Sequence, residues 1–264
     1  MSWFYEPQAL FDLETDSLDP DSGQIIQGAV VLIPRMPEGG GPRPPKVFEY
    51  LIAPDREIPQ SATDIHGITT EYAREHGLPP AEGVEKMVSM LATLMGMGAT
   101  LIGMNVPFDL TYLDRSCRQL GLRSLDERLP GGIKPVVDVL VIDKEMSRRK
   151  GKRNLGAQCE HYGVVLDGAH DAVADALAAG RVAWALCKHF PKIRHAKAED
   201  LHDEQVRWRA KQQKSFASWL RGEAAKETDP QKRQETLARA EDCRPEWPVI
   251  PLPVAAPEPD EALW

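Results

Sequence analysis

Apolar residues gather in three short runs near the start of the chain: ALFDLE at 9–14, IIQGAVVLI at 25–33 and VFEYLIA at 47–53. Each is rich in apolar or β-branched residues and bounded by turn chemistry, which predicts three strands. Between the second and third, IPRMPEGGGPRPPK holds five prolines and three consecutive glycines and predicts an irregular, exposed hairpin loop. The rhythm changes at 81–98, where Val84, Met87, Val88, Leu91, Leu94 and Met95 fall on one helical face. That methionine-bearing stripe reads as core. TLIGMN at 100–105 predicts a fourth strand. Pro107 then opens a helix, where a missing N–H costs nothing. Leu113, Cys117 and Leu120 give this helix its apolar face, and Gly121 ends it. VVDVLVI at 136–142 reads as a fifth strand. NLGAQCEHYG at 154–163 reads as a short helix, with Asn154 as cap and Gly163 as stop. A longer apolar helix spans 171–190. Three consecutive strands followed by alternating strands and helices define an α/β fold, a mixed sheet flanked by helices.

After Phe190 the pattern changes. Residues 196–225 and 230–242 predict charged helices anchored by Trp208, Phe216, Trp219 and Leu220, and 245–259 contain six prolines, too many for regular helix or central strand. The expected organisation is a main domain over 1–190, a C-terminal helical appendage over 191–244 and a Pro-rich extended tail over 245–264. There are no internal repeats.

Composition narrows the function classes. At 42% hydrophobic and 27% charged residues the chain can bury a core. Its formal charge of −8 argues against a surface that grips nucleic acid by counterion release alone. It leaves open carboxylates that hold cations, which in turn hold phosphate. Cys117, Cys159, Cys187 and Cys243 show no C-x-x-C spacing and read as reduced thiols of a cytoplasmic protein. The N-terminal residues have neither a basic n-region nor an apolar h-region, and no apolar run reaches about 18 residues, so neither a signal peptide nor a membrane span is expected.

Three constellations offer chemistry. Asp12 and Glu14 in LFDLET are two apart on a strand and share a face, while Phe11 and Leu13 point the other way. Two like charges on an apolar strand call for something positive between them, and a divalent cation with oxygen ligands is the natural partner. Asp109 in GMNVPFDL falls in the first turn of a helix, on the side of Leu113, where the helix N-terminus favours an anion. His170 and Asp175 in HDAVADA are about 500° apart on a regular helix. They meet only if His170 lies in the entry loop, with Asp171 as the cap. Taken singly, each has an ordinary reading: a polar strand end, a capping aspartate, a solvated histidine.

Together they carry a resemblance. FDLET near the start, N-x-x-FD about ninety residues on and H-x-A-x-x-D some sixty residues further resemble the three exonuclease motifs of the DnaQ-like DEDDh family. This is a branch of the RNase H-like fold that includes the proofreading exonuclease of bacterial replicative polymerases. DIHGIT at 64–69 matches a further segment of that family. The resemblance covers about residues 8–190 and departs in three places. Met104 stands where a histidine often precedes the asparagine, the 34–45 loop is long, and the appendage has no counterpart in the minimal family.

The resemblance implies an RNase H-like mixed sheet and a 3′→5′ exonuclease that releases nucleoside 5′-monophosphates from single-stranded or 3′-frayed DNA. Asp12, Glu14, Asp109 and Asp175 would hold two Mg²⁺ or Mn²⁺ ions, which clamp the attacking and leaving oxygens, and His170 would be the general base. Thr15, His66 and Asn105 are substrate-side candidates, with Asn105 equally suited to supporting its turn, and Phe108 reads as core. Arg148, Arg149, Lys150, Lys152 and Arg153 put five positive charges into six residues, a candidate phosphate-backbone contact or a solvated basic loop. Two alternatives stay open. One is a 3′→5′ exoribonuclease acting on short or structured RNA ends. The other is a non-catalytic end-binding adaptor, against which the intact five residues argue. The appendage is a candidate contact for a DNA polymerase or repair protein.

Overall fold

The computed structural model describes residues 2–252. Five strands form one mixed sheet: β1 (Gln8–Thr15), β2 (Ile25–Ile33), β3 (Lys46–Leu51), β4 (Thr100–Gly103) and β5 (Val136–Asp138). Their order is β3-β2-β1-β4-β5, with β1, β2 and β3 antiparallel and β4 and β5 parallel to β1. The three hairpin-linked strands and the two that return through helices are what the apolar pattern predicts.

Helices cover both faces. α3 (Pro80–Gly96) and α4 (Val106–Gln119) pack on one, and α8 (Ala172–His189) lies across β1, β2 and β4 on the other. Val84, Met87, Val88, Leu91, Leu94 and Met95 are all buried on α3. Gly180 lets α8 approach closely, since a Cβ there would lie 2.7 Å from Leu10. Leu10, Asp12 and Glu14 therefore face α8, while on the other face Gly28 lies against Leu13 and against Met87 of α3. α7 (Leu155–Tyr162) begins at Asn154, whose side chain accepts from Ala157, and stops at Gly163 with φ +65°. The 34–45 loop is irregular, and Arg43 straps it down by donating to the carbonyls of Phe4, Glu6 and Pro34.

Three expectations need correction. The run 136–142 is strand only to Asp138 and then becomes α6 (Val139–Met146), because the Asp138 carboxylate accepts from Leu140 N–H and caps a helix there. A short apolar run does not distinguish the two. Three short helices lie where none was expected: α1 (Gln60–His66), α2 (Thr70–His76) and α5 (Leu125–Arg128). Finally, Phe216 and Trp219 do not anchor the appendage: they are 42% and 56% exposed, whereas Trp208 and Leu220 are buried.

Beyond Phe190 come α9 (Pro191–His195), α10 (Ala198–Ala224) and α11 (Pro230–Glu241). α10 finishes the sheet. His202 Nδ1 accepts from Val136 N–H, Gln205 Oε1 accepts from Asp138 N–H at 2.7 Å, and Gln205 Nε2 donates to the Val136 carbonyl. Side chains thus satisfy the open edge of β5. Leu201, Trp208 and Trp247 join the same apolar core as the sheet. Residues 243–252 have no regular structure, and Ile250 is held by Thr111 and Arg115. The rest of the tail lies outside the described residues.

Candidate active site

The C-terminal end of β1 carries the first two carboxylates. Asp12 pairs with Ala29 and Glu14 with Gln27, and a register shift between Glu14 and Thr15 ends the regular ladder. Such bulges re-aim side chains at a strand end. The third carboxylate, Asp109, is buried in the first turn of α4 and accepts the Leu13 N–H at 3.2 Å. Strand and helix are joined at the site by that bond.

Asp175 sits one turn into α8, whose cap is Asp171, accepting from Ala174 N–H. His170 lies in the exposed loop just before, at φ +66°, and its backbone N–H donates to Asp175 Oδ2 at 3.3 Å. This entry-loop placement brings the two together despite their spacing. Ligand atoms of Glu14, His170 and Asp175 all lie within 4.8 Å of one another.

Burial and mutual repulsion dominate the electrostatics. Burial first, then the charges of Asp109, Asp175, Glu14 and Asp171, hold Asp12 well above the ordinary carboxylate range. Glu14 is pushed up to about 7 by burial and by Asp175 and Asp171. Burial also raises Asp109 and Asp175. The imidazole that meets this group is that of His170, and the buried Oδ1 of Asp175 has no hydrogen-bond partner among the described residues. Hard oxygen donors with an unmet need for positive charge fit Mg²⁺ or Mn²⁺.

A groove of about 500 Å³ opens beside Glu14, walled by Thr15, Leu18, Ile65, His66 and Phe108. Gly67 ends α1 at φ +75°, which brings the Ile68 N–H onto His66 Nδ1 at 3.1 Å. The His66 proton is therefore assigned to Nε2, which is buried and has no partner among the described residues, while the residue as a whole lines the groove. Burial and His170 hold its pKa down. Thr15 lines the groove, but its hydroxyl donates to the Ser17 carbonyl. Asn105 sits at the start of α4 with φ +60° and lines a neighbouring groove. Phe108, read as core, is half-buried and walls both grooves.

The basic run divides. Arg149 and Arg153 both pair with the buried Asp143 carboxylate, at 2.9 and 2.6 Å, so they hold the loop to α6 and are not free to track phosphate. Arg148, Lys150 and Lys152 are exposed.

Two residues that position the site were not singled out from the sequence. Asp138 accepts from Asn105 and Val106 N–H at 3.0 and 3.1 Å, which fixes the start of the helix that carries Asp109. Gln27 Oε1 accepts the Ala172 N–H, docking the start of α8 beside Glu14. The available signal was a polar residue within an apolar strand, in VVDVL and IIQGA, since a buried polar group needs a partner.

This geometry belongs to a nuclease fold. Residues 10–183 match the family model described as "Exonuclease" (RNase_T), and the chain belongs to that family. It is 30% identical over 186 residues to the DNA polymerase III subunit epsilon of Rickettsia prowazekii, covering 68% of this chain and 73% of that one. It is 28% identical over 187 residues to the PolC-type DNA polymerase III of Lacticaseibacillus paracasei, covering 70% of this chain and 11% of that protein. Another relative, a DNA polymerase III subunit epsilon-like protein of Rhodobacter capsulatus, is spanned over 22% of its length. Among solved structures, E. coli exonuclease I in complex with a dT13 oligonucleotide shares the fold, with TM-score 0.57 and 18% identity over 72% of this chain and 42% of that one. The sheet, the flanking helices and the family membership agree on a DnaQ-like exonuclease domain. Among the described residues no helix is long and apolar enough to cross a membrane.

Proposed function

We propose that this chain is a 3′→5′ exonuclease of the DEDDh type that removes nucleoside 5′-monophosphates from single-stranded DNA. Asp12, Glu14, Asp109 and Asp175 would hold two divalent cations, and His170 is the general base. The observation that carries the reading is the convergence of Glu14, His170 and Asp175 within 4.8 Å at an open groove. When bound, the cations would offset the carboxylate charge and stabilise the attacking and leaving oxygens of an in-line displacement.

The chain's own residues supply the rest. A neutral imidazole at His170 takes a proton from the attacking water as its oxygen bonds to phosphorus. The bond from phosphorus to the 3′ oxygen breaks with its electron pair going to that oxygen, which takes a proton from solvent, leaving a 3′ hydroxyl on the shortened strand and a 5′-phosphate on the released nucleotide. His66 lines the groove, and a turn of its ring would bring Nε2–H, buried and without a partner among the described residues, onto an oxygen of the terminal nucleotide. Leu18, Ile65 and Phe108 form the apolar walls for its base and sugar. The relatives' association with replicative polymerases supports DNA as the substrate.

Digestion of 5′-labelled single-stranded DNA, duplex DNA and RNA, with Mg²⁺ and with chelator, tests the reading. The expected result is a metal-dependent ladder shortening from the 3′ end, fastest on single-stranded DNA. Internal cuts, or turnover in chelator, would overturn it, and faster loss of RNA would reassign the substrate.

A further inference from the structure

α10 carries two apolar stripes, and one of them runs past the edge of the domain. Leu201, Gln205, Trp208 and Gln212 recur at helical spacing and face the sheet and α6, with Gln212 Nε2 donating to the Val141 carbonyl. The same spacing continues to Phe216 and Trp219. There the domain has ended, so these rings stack on each other in solvent, with centroids 5.7 Å apart and planes at 16°. The other stripe, Ala217, Leu220 and Ala224, is buried where α10 packs on α11. The aromatic pair is thus not needed to close the helical hairpin.

We infer that the Phe216–Trp219 pair is a base-stacking platform for single-stranded nucleic acid, holding the strand upstream of the 3′ end that lies in the active site. This role in turnover rests on the exonuclease reading. Two observations favour a strand. The first is chemistry. Lys214 and Arg221 flank the pair, exposed and without an ion pair among the described residues; of the other cations between Gln205 and Gly222, Arg207 and Lys211 pair with Glu204 and Glu145 and Arg209 is buried. The pair is bordered by Ser215, Ser218 and Gly222 instead of further apolar residues. Exposed rings beside isolated cations suit bases and phosphates, whereas a protein interface needs a wider apolar centre.

The second is continuity. A groove of about 380 Å³ shares Leu18 and Phe108 with the active-site groove and reaches α10 at Arg209 and Gln213, one turn before Phe216. Its lining includes Asp19, Asp21 and Asp242 as well as Arg115, Arg209 and Arg244. The groove therefore offers a strand passage without net attraction, and the attraction comes at its end.

The test compares the full chain with the Phe216→Ala/Trp219→Ala double variant and with Trp219→Phe. Binding of fluorescein-labelled oligo-dT is measured by anisotropy in chelator, and hydrolysis of a dinucleotide and of long single-stranded DNA is measured with Mn²⁺. The double variant should bind oligo-dT about tenfold to a hundredfold more weakly, as expected for lost base stacking. Its KM on long DNA should rise similarly, with dinucleotide hydrolysis unchanged. Trp219→Phe, which keeps a ring, should retain most of the binding. Unchanged oligo-dT affinity in the double variant overturns the inference, as does equal loss on both substrate lengths. Unchanged affinity together with a self-association in sedimentation that the double variant abolishes assigns the pair to a protein contact instead. A wild-type chain that hydrolyses neither substrate refutes the exonuclease reading alone, because the oligo-dT measurement stands without turnover.

Discussion

Two clusters of buried acid sit in the same domain and behave oppositely. Asp143 is fully buried yet held below the ordinary carboxylate range, because Tyr162 donates to it at 2.6 Å and Arg149 and Arg153 pair with it. Asp12, Glu14, Asp109 and Asp175 are held above that range, and no lysine or arginine is among the groups that shift them. The first cluster is complete as it stands and fastens the 147–153 loop. The second is incomplete, and what it lacks is positive charge. Burial alone does not mark a functional acid; burial without a cationic side chain marks a candidate for one.

Removing an acid should therefore act differently in the two places. Asp12→Ala and Asp175→Ala should reduce turnover to background while the fold persists, and calorimetric titration should show Mn²⁺ stoichiometry or affinity lost. Unaltered Mn²⁺ binding in both would remove these carboxylates from the metal site. His170 is the next largest effect. His170→Asn suits the test, because asparagine tolerates the left-handed backbone seen at φ +66°. The rate should fall by about 10²–10⁴ with Mn²⁺ affinity retained. Near wild-type turnover between about pH 6 and 8 would exclude it as the base.

In the paired cluster the effect is on stability. Asp143→Ala leaves Arg149 and Arg153 without their common partner and should cost about 3 kcal/mol. For a chain of this size that lowers Tm by about 6–12 °C. Asp12→Asn, by relieving repulsion, should leave the metal-free Tm unchanged or higher. A matching loss in both variants, read by thermal denaturation in chelator, would break the contrast.

The same contrast shows what a sequence exposes. Asp12 and Glu14 are legible because two-residue spacing on a strand fixes a shared face, and Asp109 because a helix start follows a strand. The α3 stripe and the Asn154 and Gly163 caps are local features and stand as expected. Contacts made across the chain are not legible. Arg149 and Arg153 look free because nothing in their spacing shows that Asp143 turns toward them. Asp138 looks like mid-strand because its bonds to Asn105, Val106 and Leu140 exist only once three segments meet. Phe216 and Trp219 look like anchors because a periodic stripe does not reveal where its partner surface stops.

Titration should separate the clusters more gently. Glu14, raised to about 7 in the fold, binds more protons folded than unfolded between its ordinary value and 7. That contribution to stability is full at low pH and lost as pH rises through 7. Asp143, lowered in the fold, contributes in the opposite sense, above its ordinary value, and is lost as pH falls. In chelator, Glu14→Gln should flatten the decline in Tm between about pH 5 and 8 by several degrees, since the amide does not titrate. An unchanged pH profile in that variant would show that Glu14 ionises normally.

The smallest effect concerns the exposed remainder of the basic run. With Arg149 and Arg153 committed to Asp143, only Arg148, Lys150 and Lys152 remain to meet phosphates from this loop. Each cation that neutralises a phosphate of a single strand contributes about 0.7 to the slope of log affinity against log salt. Replacing all three by glutamine should lower that slope by about 2 if all three touch the strand. Stability should hold, because exposed charges of this kind contribute little to it. Dinucleotide hydrolysis should also hold, because a substrate that short does not depend on backbone contacts away from the reacting bond. The measurement is oligo-dT affinity at several salt concentrations, in chelator, for wild type and the triple variant. A slope that does not change would leave this loop without a part in strand binding, and the 147–153 segment would then matter only through the ion pairs that tie it to Asp143.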